Sequence, residues 1–293
     1  MNILVTGSNG FLGIHVVRDL LKKGHKVTAF DSDVSNLKDL PCRVVQGDLR
    51  NTQDIDQAIK GNEVIMHMGA ISDIDDCQSD KLEAININLI GTINILESCI
   101  NNGISKLMFA STIYVNGDRG GIYRCTKQAS EIFIREYSKD QDIDCLIIRY
   151  GSLYGPGSND KNGLYRIIKN ALKNKNVSYE GHKDTTREYI HVIDAASSTN
   201  KLLEEMEESS TVVITGQQSY KVQEILSTIS EMLGYKKPVE FLDVEQSGHY
   251  VTTPFKYENE YPRKFIPDFH IDLGVGLDEL IDYVKETEKL NTE

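Results

Sequence analysis

The chain has 293 residues, 40% of them hydrophobic, and a formal net charge of −12. That length can bury a sizeable core in one large domain or two smaller ones, whereas so acidic a chain repels phosphate backbones and is not expected to bind nucleic acid. No run nears the roughly 18 apolar residues of a membrane span, and Met1-Asn2 opens directly onto Ile3-Leu4-Val5 without a basic leader, so a cytoplasmic protein without membrane contact is expected.

The first 150 residues alternate short β-branched runs with longer amphipathic ones. Strands are predicted over residues 2–6, 26–30, 43–46, 63–67, 106–110 and 144–149. Between the first two, residues 11–23 carry Phe11, Leu12, Val16, Leu20 and Leu21 at helical spacing. Residues 81–101 predict one long helix with Leu82, Ile85, Leu89, Ile93 and Leu96 on a stripe, and another helix opens at Tyr123 and runs through Glu131, Phe133 and Ile134. This rhythm predicts an α/β fold, a Rossmann-like doubly wound parallel sheet with right-handed crossovers. Residues 151–163 read as a loop, 164–173 as a helix and 211–215 as a strand returning to the sheet. The tail, 220–293, mixes two helical patterns with a Pro- and aromatic-rich stretch over 251–269. The expected division is a sheet domain over 1–160, rejoined by 187–219, and a smaller discontinuous C-terminal lobe made of 161–186 and 220–293.

Gly7-Ser8-Asn9-Gly10-Phe11-Leu12-Gly13 follows the first predicted strand and opens the first helix. This G-x-x-G-x-x-G is a spacing variant of the dinucleotide fingerprint, in which glycines permit a tight turn and close backbone approach to a pyrophosphate. The helix N-terminus then offers free N–H groups and a positive dipole end to the phosphates. The second strand runs out at Asp31, suited to hydrogen-bond a ribose 2′-hydroxyl and to repel a 2′-phosphate, which favours NAD over NADP. A plain glycine turn and a water-facing acid would satisfy the same pattern.

Tyr123 and Lys127 stand four apart on a helix, so phenol and ammonium project from one face. A Lys cation, aided by a positive nicotinamide ring, would stabilise the phenolate of a Tyr whose ordinary pKa is about 10. Thr112 closes an apolar strand at the sheet edge where such folds place their chemistry, and it supplies a third hydroxyl. Alone, Y-x-x-x-K is a common surface pair, and Thr112 reads equally well as a turn cap.

The ordered series of these motifs resembles the NAD-dependent epimerase/dehydratase family of extended short-chain dehydrogenases/reductases, and within it the nucleotide-sugar 4-epimerases. The likeness adds Gly47-Asp48-Leu49, His67-Met68-Gly69-Ala70, Asn88 to Thr92, Arg149 to Gly157 and Arg187 to Asp194. It implies that 1–160 holds NAD and that the lobe holds a nucleotide-sugar. By the same resemblance Asp48 and Leu49 frame the adenine, Met68, Gly69 and Ala70 line the inner ribose and phosphates, Asn88 steadies the active-site backbone, and Tyr150 belongs with the cofactor residues. Tyr123 would shuttle the proton, Lys127 clamp the nicotinamide ribose, and Thr112 bond the reacting oxygen. Arg187 would grip the substrate diphosphate, Ser152 would touch a phosphate, and Tyr250 would close over the sugar.

Three departures narrow the activity. Ile113 and Tyr114 stand where dehydratases carry Asp-Glu and decarboxylases a Glu, so both of those reactions lack an acid/base here. Only ten residues separate Thr112 from Tyr123, which predicts a sugar pocket open on one side, and Ser152 replaces a common Asn. The expected activity is NAD-dependent epimerisation by transient oxidation at sugar C4, with hydride passing to NAD and back. A 4-dehydrogenase or 4-keto-sugar reductase would use the same residues, and a non-catalytic NAD-binding regulator is the reading from another class. The resemblance also implies a homodimer through the helices of 81–101 and Tyr123. His182, His191, His249 and His270 share no metal-ligand spacing, and the odd set Cys42, Cys77, Cys99, Cys125 and Cys145 has no C-x-x-C pair, so no metal site is expected. Cys125 is expected to be a packed thiol.

Overall fold

The computed structural model describes residues 1–242, 248–254 and 262–290. The first half contains β1 (Asn2–Thr6), α1 (Phe11–Lys22), β2 (Lys26–Asp31), β3 (Arg43–Gln46), α2 (Thr52–Ile59) and β4 (Val64–His67). Next come α3 (Ile74–Ser79), α4 (Lys81–Ile85), a π-helical turn (Asn86–Ile90) and α5 (Gly91–Asn101). They are followed by β5 (Lys106–Thr112), a 3₁₀ turn (Ile113–Asn116), α6 (Gly121–Asp140), β6 (Asp144–Tyr150) and β7 (Ser152–Tyr154). Then come α7 (Gly163–Asn174), β8 (Ser178–Glu180), β9 (Thr186–Arg187), β10 (Tyr189–His191), α8 (Val192–Glu204), β11 (Ser210–Ile214) and β12 (Tyr220–Lys221). The tail adds α9 (Val222–Met232), β13 (Glu240–Leu242), β14 (Arg263–Lys264) and α10 (Leu273–Thr287).

Eight strands form one parallel sheet in the order β14-β11-β6-β5-β4-β1-β2-β3. The central strands are apolar on both faces, Ile3, Leu4, Val5, Ile65 and Met66 being fully buried, as a sheet covered on both sides requires. Val16, Val17 and Leu20 of α1 pack with Ala195, Ala196 and Leu202 of α8 on one face. Ile55 and Ile59 of α2, Ile95 and Leu96 of α5 and Ile134 of α6 cover the other. Strand order reverses between β1 and β4, and a crevice opens there beyond the strands' carboxyl ends.

A second core joins α7, α9 and α10 through Leu164, Ile168, Leu172, Ile225, Leu226, Ile229, Leu277 and Leu280. Three two-stranded pairings, β7 with β10, β9 with β12 and β8 with β13, lie beside the main sheet. Two strand pairings, one beside the main sheet and one at its edge, revise the sequence reading. Residues 152–154 form a strand rather than loop because β10, some 35 residues on in the chain, supplies a parallel partner. Arg263–Lys264, from the tail read as the smaller lobe, adds an edge strand to the large sheet beside β11.

The long helix expected over 81–101 is interrupted by the π turn. Within it the Asn88 carbonyl accepts from Thr92 Oγ1 at 2.6 Å and Ser130 Oγ at 3.0 Å, so an ordinary i→i+4 ladder gives way to wider bonds. Among the described residues no helix is long and apolar enough to cross a membrane.

Candidate active site

A cleft of about 610 Å³ runs over the carboxyl ends of β1, β2, β4 and β5. Every residue expected to meet a dinucleotide lines it except Asn88. Its floor is the glycine loop. Gly7 has φ +65°, and a Cβ there would sit 2.6 Å from the Gly69 backbone; at Gly13 a Cβ would sit 2.0 Å from the Gly7 carbonyl oxygen. Only glycine allows loop, helix and β4 exit to approach so closely. Gly10 caps α1 without a side-chain bond, leaving the first N–H groups of the helix to an incoming anion. At the far end, Asp31 accepts from the Asn9 N–H at 2.9 Å and the Asp33 N–H at 3.1 Å, which fixes its carboxylate at the rim. This shape and donor set fit a dinucleotide with a free 2′-hydroxyl.

Beneath the cleft lies a buried polar chain that links the His67 and Asn88–Thr92 motifs through Thr6, a residue the sequence reading did not name. The Gly69 N–H donates to Thr6 Oγ1, which pairs with His67 Nδ1 at 2.7 Å; His67 Nε2 meets Thr92 Oγ1 at 3.1 Å. Thr92 gives its proton to the Asn88 carbonyl, so His67 Nε2 must be the donor and Nδ1 the acceptor. Burial and the Lys127 charge hold His67 neutral, with its pKa pushed down to about 3. The Asn88 side chain accepts from the Ile71 N–H at 2.8 Å and donates to the Ile71 carbonyl at 2.9 Å and to Thr126 Oγ1 at 3.2 Å. Asn88 therefore sits behind the wall, tying the segment after β4 to the helix that bears Tyr123.

Thr112, Tyr123 and Lys127 converge at the end of β5. The Thr112 hydroxyl accepts from the Tyr114 N–H at 3.3 Å, capping the 3₁₀ turn, and it lines the cleft together with Tyr123. Lys127 is 3% exposed, donates to the Ala110 carbonyl at 2.8 Å, and lies 4.7 Å from the Phe109 ring centroid. Burial pulls its pKa down to about 8. Burial pushes the Tyr123 phenol up to about 12, with the Thr112 hydroxyl opposing. Desolvation dominates in the protein by itself, so Lys127 does not suffice and the positive charge of a bound group, expected beside it, is needed as well.

Glu131, one turn beyond Lys127, anchors this corner. Its carboxylate accepts from Ser111 Oγ at 2.6 Å, Arg149 Nε at 3.0 Å and Arg149 Nη2 at 2.7 Å, and both side chains are 3% exposed. Arg149 Nη1 reaches on to Asn116 Oδ1 at 2.8 Å. The i+4 spacing from Lys127 was the available signal. Tyr150 lines the cleft, but its hydroxyl turns away to Thr199 Oγ1 at 2.6 Å. Arg50, paired with Asp48 and with Glu83 at 2.8 Å, also lines the cleft beside Leu49, and the sequence reading did not name it.

A second cavity of about 750 Å³ continues from Tyr123 into the smaller lobe. Ser152, Arg187 and Tyr250 line it together with Tyr114 and His249. Arg187 stacks 4.1 Å over the Tyr250 ring, and the Tyr250 hydroxyl meets Ser152 Oγ at 3.1 Å. The open side expected from the short 113–122 segment is filled. Residues 248–254 lie across it: Gly120 N–H donates to the Gly248 carbonyl at 2.8 Å, Thr186 N–H donates to the Val251 carbonyl at 2.8 Å, and Pro254 packs where a Gly117 Cβ would be. Cys125, expected to be packed, is exposed, because α6 turns that position away from the sheet.

Comparison with known proteins agrees with this geometry. The chain is 28% identical over 270 residues to an uncharacterized UDP-glucose epimerase, YtcB, of Bacillus subtilis, covering 83% of this chain and 85% of the relative. It is 24% identical over 315 residues to a dTDP-glucose 4,6-dehydratase of Mycobacterium tuberculosis, covering 98% and 94%. The fold is shared with UDP-glucuronic acid 4-epimerase from Bacillus cereus, solved with UDP-glucuronic acid and NAD, at a TM-score of 0.84, 24% identity and coverage of 98% and 100%. The model of the NAD dependent epimerase/dehydratase family matches residues 3–215, and the chain is an enzyme belonging to that family.

Proposed function

We propose that the protein is a nucleotide-sugar 4-epimerase. The observation that carries this reading is the meeting of Thr112, Tyr123 and Lys127 where the two cavities join, with Ile113 and Tyr114 in place of a carboxylate pair. NAD, the cofactor of the family, supplies hydride acceptance and return at the sugar carbon when bound. The glycine loop Gly7 to Gly13, Asn9 included, would hold its pyrophosphate at the α1 N-terminus, with Asp31 on the adenosine ribose, Asp48 and Leu49 around the adenine, and Met68, Gly69 and Ala70 against the inner ribose and phosphates. Lys127 would bond the second ribose, and Tyr150 would pack beside it.

Tyr123, as phenolate, takes the C4 hydroxyl proton and later returns it, with Thr112 holding the same oxygen. The cationic ring of the oxidised cofactor and Lys127 together offset the burial that otherwise keeps Tyr123 protonated. Arg187 would bind the substrate diphosphate through its planar donors, with Ser152 and Tyr250 placing it. In the proposed division residues 1–160 and 187–219 surround the cofactor and the smaller lobe closes on the substrate, with Ser152 and Arg187 reaching the substrate from the cofactor side. Leu82, Ile90, Ile132 and Phe133 stand exposed on the helices named for a homodimer contact, which supports that assembly.

Proton NMR of the protein with NAD and a panel of UDP-, dTDP-, GDP- and CDP-hexoses, with absorbance read at the NADH band, tests the activity. A C4 isomer without accumulated NADH is the expected result. A keto product with stoichiometric NADH would replace epimerase by net oxidoreductase, and no turnover with tight NAD binding would favour the regulator.

A further inference from the structure

The sugar cavity holds a side-chain pair that the reaction above does not use. The Tyr114 hydroxyl and His249 Nδ1 lie 3.0 Å apart. Tyr114 packs 4.9 Å from the Tyr250 ring and edge-on to the Tyr123 ring at 6.4 Å. Both residues face the cavity, and the segment 248–254 brings His249 there from far along the chain.

Proton counting defines what this pair can bind. Burial pushes the Tyr114 phenol above its ordinary value, and burial together with the Arg187 charge lowers His249, so both groups are neutral. A neutral phenol and a neutral imidazole own two polar protons between them, and their mutual bond uses one. Whichever ring donates, one donor and one acceptor site remain, and among the described residues no other group takes them. A carboxylate could only accept. At the Tyr114 oxygen the remaining site accepts if Tyr114 donates to His249 and donates if it accepts, and a hydroxyl can meet either. Standing edge-on to Tyr123, Tyr114 reaches a substituent beside the one that Tyr123 handles.

We infer that Tyr114 and His249 act as one hydrogen-bonding unit that reads a sugar hydroxyl neighbouring the one at C4, either the C3 hydroxyl or the C6 hydroxyl carried on C5, and thereby sets substrate specificity. This rests on the epimerase reading. It places the discrimination in the position where a carboxylate would make the enzyme a dehydratase, so the same site that withholds elimination selects the sugar.

The test compares kcat/KM for an accepted nucleotide-hexose with its 3-deoxy and 6-deoxy analogues, in the wild type and in Tyr114→Phe and His249→Leu. A site built to bond a hydroxyl rejects the analogue lacking it, so the wild type is expected to prefer the parent over one analogue by about 100-fold or more. The analogue that fails names the carbon. Tyr114→Phe, which keeps the ring stacking, should cut that preference to within a few-fold, and the double variant should be no worse than either single one. Unchanged NAD affinity and melting temperature certify the fold; should His249→Leu not fold, Tyr114→Phe alone decides. Equal use of all three sugars by the wild type, or preference retained in Tyr114→Phe, overturns the inference and leaves the epimerase intact. No turnover of any parent hexose overturns the epimerase reading and this inference with it.

Discussion

The two cavities that meet at Tyr123 are built by different means. The one over the sheet rests on a floor of backbone, made of glycine turns, strand ends and a helix N-terminus, with side chains such as Asp31, Leu49 and Arg50 around it. The one that runs on from it towards the smaller lobe is lined by side chains, among them Tyr114, Ser152, Arg187, His249 and Tyr250, delivered by segments distant in sequence. A backbone site is indifferent to the particular ligand beyond its charge and thickness, which suits a cofactor shared by a whole family. A side-chain site is cheap to alter, which suits a substrate that differs between members.

That contrast breaks most visibly at the junction. Tyr123→Phe is expected to lower kcat by about 10²- to 10⁴-fold while NAD affinity, followed by fluorescence titration, stays the same. Loss of NAD binding instead would place Tyr123 with the backbone site rather than with the chemistry. Next in size is Glu131→Gln. Leaving Arg149 with a weakened partner in a buried corner should cost up to about 3–5 kcal/mol in urea unfolding, the range for breaking buried pairs.

On the backbone side, Gly7→Ala forces a side chain into φ +65° against Gly69, so NAD affinity should fall at least about tenfold, with substrate effects following from that loss. On the side-chain side, Arg187→Lys should raise KM for the nucleotide-sugar by about tenfold and leave NAD affinity alone, because a point charge replaces a planar fork. Equal effects of the two variants on both ligands would erase the distinction. Stability also depends on pH, by about 1.4 kcal/mol per pH unit. The unfolded chain protonates His67 near 6.5, whereas the folded chain refuses that proton until about 3, so stability is full above pH 6.5 and declines as pH falls through that window. His67→Gln should flatten that decline in urea midpoints measured between pH 7 and 4.

The same contrast governs what could be read from the residues alone. The order of strands β1 to β6 and helix α1 was legible because apolar runs and glycine turns are local signals. The π turn was not legible, because it depends on hydroxyls from Thr92 and Ser130 meeting one carbonyl. Strand β7 needs β10, and β14 needs β11, so neither announces itself. The closing of the sugar pocket was misread for a related reason: a short segment predicts a gap, but the gap is filled by residues more than 125 positions away.

The protonation of the site was also decided by burial rather than by neighbours in sequence. Tyr123 and Lys127 share a helix face, as their spacing requires, yet the desolvation that raises one pKa and lowers the other comes from the sheet and lobe packed around them. Local periodicity and glycine spacing determined the doubly wound sheet and the dinucleotide cleft, since both arise from interactions a few residues apart. The second cavity, the Tyr114–His249 contact and the titration states of Tyr123 and Lys127 were settled only in three dimensions, where distant segments exclude water and meet one another.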